Sequence, residues 1–398
     1  MPHILFNKYN KKLETPSKND GVDFNFIAES YNFTQKQRQI EYKVCVSKDE
    51  KDFLLTLKTK DENYLLKADK ITRVTPIQLV KDALNSYVSS IEANILFSNT
   101  KDANLKVKPS QEYLKNIDYF IDDFKTDKEI QIEIGFGSGR HLLHQAKHNP
   151  DIQFIGLEIH TPSIEQLLKQ VKIQEIDNIL VVNYDARLFM EFIDSNKVGK
   201  IFVHFPVPWD KKPHRRIYSN SFINEALRVL KLDGTLELRT DSRKYFDYCT
   251  SLLTNLSTGR ITIDINKDLA ISSKYEDRWK LQGKNIYDVT LICNQEDKDI
   301  NLDYDFSFDE DIDFDECIKT ISTKAIVEED YFIHIEDIFV ITDKKDSGLI
   351  QITFGNFDRP LSKYVLVEER KAKYFQDLPL PTSSNIKAHN KLKELLKV

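Results

Sequence analysis

The sequence predicts an α/β protein whose centre, residues 128–294, folds as a parallel sheet with helices on both faces. Three observations lead there. Short apolar runs alternate with amphipathic helical stretches through this segment, as strands and crossover helices do. Three of the chain's 11 glycines, Gly135, Gly137 and Gly139, crowd together directly after the first run. Acidic residues close the next two runs, at the sheet edge where open α/β folds place ligands. The flanks read as an N-terminal α+β extension over 1–127, an acidic linker over 295–320 and a small C-terminal β-rich domain over 321–398.

In the N-terminal part Tyr42–Val46, Phe53–Leu57 and Tyr64–Lys67 are strand-like. One helix follows, with Thr75 as N-cap, Pro76 in the first turn, and Ile77, Val80, Leu84, Tyr87, Val88, Ile91 and Ile95 at helical spacing. The core strands are Ile130–Ile134, Phe154–Leu157, Ile179–Val182, Ile201–Phe205 and Thr235–Leu238. The acid-rich stretch Glu296–Glu316 reads as a solvated linker that repels RNA. Beyond it, Phe339–Thr342 and Leu349–Phe354 flank a Lys-Lys-Asp-Ser-Gly turn, and a basic helix, Asn385–Lys397, closes the chain. Its Lys387, Lys391, Lys393 and Lys397 read as a solvated face.

At 398 residues the chain exceeds what one core usually organises. No apolar run approaches the length of a membrane span, and the basic N-terminus lacks the apolar stretch and cleavage site of an export signal. A cytoplasmic location is expected. Cys45, Cys249, Cys293 and Cys317 lie far apart without a CxxC pair, which fits reduced thiols. His141, His144 and His148 follow helical spacing with no acid or cysteine set beside them, so they read as a helix face and no metal is assigned. The net charge of −6 means that any nucleic-acid surface is local.

The chemistry starts at Glu133-Ile-Gly-Phe-Gly-Ser-Gly139. A dinucleotide fingerprint requires a glycine at position 140, where Arg140 stands. The spacing suits instead the GxGxG loop of class I methyltransferases, which cradles the methionine part of the cofactor. Glu158 ends the next strand about 20 residues on, where an acid accepts both ribose hydroxyl protons. Asp185 follows the third strand, where a carboxylate receives hydrogen bonds from an adenine edge.

Four segments together resemble the tRNA (guanine-N7)-methyltransferase family: Glu133–Gly139, Gly156-Leu-Glu-Ile-His160, Phe205-Pro-Val-Pro-Trp-Asp-Lys-Lys-Pro-His-Arg-Arg216 and Thr240-Asp241. The match covers about Ile130–Leu291, and the Pro-x-Pro-Trp-x-Lys…Arg-Arg loop is its most specific part. The resemblance implies a Rossmann-like class I fold that uses S-adenosylmethionine to methylate N7 of a guanine in tRNA, in the variable loop. It implies cofactor contacts from Glu133, Glu158 and Asp185 beside the three glycines, and substrate contacts from Lys211 and Asp241. A further family element, Thr-x-x-Glu, stands here as Ser273-Lys-Tyr-Glu276, which adds Ser273 and Glu276 to the substrate side.

The same loop supplies a local basic patch. Lys211, Lys212, His214, Arg215 and Arg216 are candidates for phosphate contact, and Trp209 for stacking on a base or bracing the loop. One departure matters: the family's loop reads Phe-Pro-Asp-Pro-Trp, with the Asp regarded as catalytic, and Val207 stands in its place. Asp241 and Asp210 are the candidate replacements. Guanine N7 carries an in-plane lone pair, so its methylation needs no prior deprotonation and a carboxylate acts on developing charge. The motifs also fit a methyltransferase of this fold acting on another RNA, and a tRNA-binding module that has lost catalysis.

Overall fold

The computed structural model describes residues 2–31, 40–60, 62–100, 109–117, 119–184, 186–269, 271, 276, 282–299, 304–357 and 360–397. The chain divides into two units, Leu105–Asp303 and a second made of Met1–Asn104 with Tyr304–Val398. Among the described residues no helix is long and apolar enough to cross a membrane.

The first unit carries strands β1 (Glu129–Ile134), β2 (Ile152–Leu157), β3 (Ile179–Val182), β4 (Val198–His204), β5 (Leu230–Thr240), β6 (Arg260–Ile265) and β7 (Tyr287–Ile292). Helices α1 (Arg140–His148), α2 (Thr161–Gln174), α3 (Asn220–Val229) and α4 (Arg243–Thr254) connect them. The sheet order is β3-β2-β1-β4-β5-β7-β6, with Leu114–Lys115 paired outside β3. Strands β1 to β5 are parallel, and β7 runs antiparallel to both neighbours. The five sequence-predicted core strands all form, since continuous burial such as Phe154, Ile155 and Leu157 is what a sheet covered on both faces needs. Leu142, Ala146, Leu167, Leu168 and Val171 of α1 and α2 pack on Phe154, Ile179 and Val181. Ser219 caps α3 by accepting from Phe222 N, and Ser242 caps α4 by accepting from Tyr245 N.

The strand order reverses between β1 and β4, so the loops that follow these two strands leave adjacent positions at one sheet edge. At that edge β5 is held by a buried charge cluster. Arg239, 1% exposed, donates to both oxygens of Asp288 at 2.6 and 2.7 Å, to Glu276 Oε1 at 2.7 Å and to the Lys267 carbonyl at 3.0 Å.

In the second unit one face of the sheet buries Ile4, Phe6, Val44, Leu55 and Leu66 against Leu79, Val80, Leu84, Tyr87 and Val88 of the helix Ile77–Ser90. That helix is shorter than its apolar spacing suggests. Pro76 takes the N-cap position, Glu92 turns left-handed with φ 52°, and Ile95 falls in the strand Asn94–Ser98. The extension and the C-terminal domain, apart in the sequence reading, share this sheet: Phe332–Ile341 pairs with Val22–Ser30, placing Phe339 opposite Ser30. Pairing across some three hundred residues leaves no local signature in sequence.

The acidic linker also reads differently in the structure. Phe306, Ile312, Phe314 and Cys317 are buried, and Phe314–Thr320 is a helix. Its acids meet basic side chains of the same unit, Asp313 with Arg370 at 3.2 Å, Glu310 with Lys397 at 2.6 Å, and Asp311 with Lys371. Of the lysines of the terminal helix Ser383–Leu396, Lys387 is exposed and paired with Asp330, while Lys391 and Lys393 are half-buried and paired with Glu394 and Asp309.

Removing the guanidinium at Arg239 leaves two carboxylates without their counter-charge. Arg239→Met should cost this unit about 3–5 kcal/mol, measured as lost protection of β5 and β7 amides in hydrogen exchange. Unchanged protection would show the cluster to be dispensable.

Candidate active site

The glycine loop leaves β1 with Gly135, Gly137 and Gly139 all left-handed, at φ 66°, 53° and 69°. Their jobs differ. A Cβ at Gly135 would meet open space and one at Gly137 would only touch the Gly135 carbonyl at 3.9 Å, so backbone is presented there, whereas a Cβ at Gly139 would lie 2.4 Å from Leu167 Cδ1. Gly139 therefore serves close packing of α1 on α2 and not ligand approach.

Glu158, at the end of β2, holds this loop. Its Oε2 accepts from Gly137 N at 3.0 Å, and its Oε1 accepts from Ile159 N and His160 N at 2.8 and 3.0 Å. A carboxylate has about four acceptor sites, so one is left for a ligand hydroxyl. Glu133 sits differently from what the resemblance implies. It is 4% exposed, and its Oε2 lies 2.8 Å from His141 Nδ1. In this structure Glu133 braces the helix behind the loop instead of presenting a free carboxylate. Asp185 and Ser273 lie outside the described residues.

His141 was legible only as one of three histidines on a helix face. The structure separates it from His144 and His148, which pack on each other at 4.1 Å. His141 instead meets Glu133, His204 at 4.5 Å and Phe202 at 4.8 Å between ring centroids. Desolvation opposes a charge on His141, but the Glu133 charge and hydrogen bond outweigh it and hold its pKa above the ordinary 6.5.

The loop after β4 is built on strained backbone. Phe205 and Trp209 are both left-handed, at φ 51° and 44°. Such conformations cost about 1–3 kcal/mol each and persist where the surroundings fix them. Phe205 N donates to the Arg239 carbonyl at 2.7 Å, tying the start of the loop to β5. Arg216 fixes its end: Nε donates to the Pro208 carbonyl at 2.8 Å, and the guanidinium lies 4.3 Å from the Tyr248 ring centroid.

Arg216 is consequently a loop brace and not a free phosphate ligand. Arg215 is exposed and stacks on Trp209 at 5.2 Å, and Lys211 is exposed as well. Tyr245 and Tyr248 of α4, which sequence reasoning passed over, form the pad under Arg216. Their i, i+3 spacing behind the Ser242 cap was the available signal.

The acids near this edge are also partnered. Asp210 is half exposed, 3.6 Å from Arg216, and Asp241 accepts from Lys284 Nζ at 2.8 Å. Glu276 is buried in the Arg239 cluster, so it anchors the interior instead of offering a carboxylate to a substrate. Val207 is 59% exposed.

A family model described as "Putative methyltransferase" matches residues 127–289, which falls inside the first unit. Over the full length the chain is 40% identical to the tRNA (guanine-N(7)-)-methyltransferase of Wolinella succinogenes, covering 100% of both chains. It is 37% identical to the protein of the same name from Campylobacter fetus, covering 97% of this chain and 96% of that one. A third, from Helicobacter hepaticus, is 37% identical over 93% and 96%.

The raised His141 pKa sets a sign for the stability of this edge. Pairing with Glu133 stabilises the fold fully below the unfolded value of 6.5 and fades as pH rises through the higher folded value. His141→Gln should therefore lose most stability near pH 6 and progressively less in alkaline solution, read by urea unfolding at a series of pH values. A deficit that does not change with pH would contradict a charged pair.

Proposed function

The chain belongs to the tRNA (guanine-N(7)-)-methyltransferase family, and we propose that two loops at one sheet edge divide the reaction between cofactor and RNA. The enzyme transfers a methyl group to N7 of a tRNA guanine. The observation that carries the division is the reversal of strand order between β1 and β4, which sets the glycine loop beside the loop Phe205–Arg216.

The residues on the first side fit S-adenosylmethionine. Gly135 and Gly137 leave room beside the backbone for its methionine part, and Glu158 keeps an acceptor for its ribose. Asp185 is proposed for the adenine edge, from its place after β3. When bound, the cofactor supplies an electrophilic methyl group on sulfur.

On the second side Lys211 and Arg215 offer exposed cations to phosphates, and Trp209 carries Arg215 on its face. Arg216 and the tyrosines of α4 hold the loop in its strained shape, so little ordering is left for the moment of binding. N7 needs no base. Asp241 is proposed to face the positive charge that develops on the purine, since β5 delivers it two residues beyond the Arg239 carbonyl that anchors Phe205. Asp210, half exposed and paired with Arg216, is the weaker candidate. A cytoplasmic location follows from the substrate and belongs to the same proposal.

Incubation with labelled S-adenosylmethionine and bulk tRNA, followed by nucleotide mapping, should find the label in 7-methylguanosine. Label at another base, or none, would overturn the reading. Glu158→Ala should weaken cofactor binding by about 1–3 kcal/mol in calorimetry, and unchanged affinity would remove Glu158 from the site. Asp241→Asn should slow single-turnover transfer about 10²–10³-fold with cofactor affinity intact; a near-normal rate would leave positioning alone as the source of rate. Arg215→Ala should lower tRNA affinity and flatten its salt dependence without touching cofactor affinity. If tRNA affinity holds, the loop is structural.

A further inference from the structure

An edge strand presents unpaired N–H and C=O groups, which proteins ordinarily guard by shortening, bulging or charging the strand. Three of the four strands that end the two sheets are guarded in this way. Leu114–Lys115, outside β3, is two residues long. In the second unit Asn94–Ser98 is broken by register shifts against His3–Lys8, and Lys371–Tyr374 carries Lys371 and Lys373.

The fourth, β6, is longer and regular. Its six residues, Arg260-Ile-Thr-Ile-Asp-Ile265, pair with β7 without a bulge, and all but Ile261 are exposed. Ile263 and Ile265 are 45% and 58% exposed. No strand lies outside β6 among the described residues.

The direction of its backbone groups follows from the ladder. Asn266 N, one residue past the strand, donates to the Ile286 carbonyl at 2.8 Å. Opposed residues of an antiparallel pair alternate between exchanging hydrogen bonds and not doing so. Arg260, Thr262 and Asp264 therefore turn their N–H and C=O groups to β7, and Ile261, Ile263 and Ile265 turn theirs outward. The side chains divide in the same way, three polar on one face and three isoleucines on the other.

This strand is complementary to itself. A second copy laid antiparallel about a two-fold axis at Thr262 brings Ile261 opposite Ile263, Thr262 opposite Thr262, and Arg260 opposite Asp264. An axis at Ile263 would instead set Arg260 opposite Asn266 and Thr262 opposite Asp264. An axis between two residues would oppose an outward-turned residue to an inward-turned one and forfeit the hydrogen bonds. Arg260 makes no ion pair among the described residues. Asp264 accepts from Lys267 through Oδ2 at 3.2 Å, which leaves Oδ1 for a second cation. That pair is exposed on both sides and holds Asp264 only weakly. A partner strand of one charge sign would repel either Arg260 or Asp264, whereas a second copy satisfies both.

We propose that β6 is a homodimer interface, at which two copies of the chain join their sheets through the outward backbone of Ile261 and Ile263, two Arg260–Asp264 pairs and a shared row of isoleucines. One strand pair lies at the small end of specific interfaces, so association is concentration-dependent. Sedimentation equilibrium of the full chain over a concentration series should show monomer passing into dimer. Arg260→Asp sets like charges opposite each other twice and should weaken association by about tenfold or more, as should Asp264→Arg. The double exchange, Arg260→Asp with Asp264→Arg, should restore it. Both side chains are exposed, so exchange protection of β7 amides at low concentration should stay parental in every variant. The amides of Ile261 and Ile263 should gain protection as the parent is concentrated, and should not in Arg260→Asp. A parent that stays monomeric across the series would overturn the interface, and so would a dimer that the single reversals leave intact or the double exchange fails to restore. None of these readouts uses tRNA, so the result stands apart from the methyltransferase reading.

Discussion

The reversal of strand order between β1 and β4 is the constraint on which the site depends. A crossover from one parallel strand to the next is right-handed. The chain builds β1, β2 and β3 outward in one direction and then returns to place β4 on the other side of β1, which with right-handed crossovers puts the later connections on the opposite face of the sheet. Two loops then start from adjacent strand ends and diverge, leaving a crevice between them. Both use backbone that ordinary residues avoid. The first meets this with glycine at φ 66° and 53°, and the second holds Phe205 and Trp209 left-handed by tying them to β5 and α4.

Buried charge accounts for how these loops are kept in place. Arg239 joins β5 to β7 through Asp288 and to the segment around Glu276, and its carbonyl receives Phe205 N. Glu133 joins β1 to α1 through His141. In both cases an acid that a motif reading assigns to a ligand is spent on the frame. A buried carboxylate without a partner would be costly, so a cation fixed on a neighbouring element is the physical answer. Exposed groups on the same edge, Lys211, Arg215 and the remaining acceptor of Glu158, are left for ligands.

Much of the core was legible because its signals are local. Short apolar runs gave the five parallel strands, and three glycines in five residues gave the loop. The order of strands and the inward turn of Arg216 were not legible, since both depend on partners far along the chain, such as Tyr248. The same reason hid the union of the terminal segments through Phe332–Ile341 and Val22–Ser30. Composition told only part of Glu296–Glu316, where Phe306, Ile312 and Phe314 are buried and anchor the stretch while acids such as Asp309, Glu310 and Asp311 stay exposed. Helical spacing misled at Ile95, because a left-handed Glu92 ends the helix and begins an edge strand.

The central claim is that cofactor and tRNA occupy separate loops at one edge. Amide hydrogen exchange of the full chain, with S-adenosylhomocysteine and tRNA added one at a time, tests it most directly. The account predicts that the first ligand slows exchange over 135–139 and 158–160, and that the second slows exchange over 205–216. Protection by either ligand that spares both loops would contradict it.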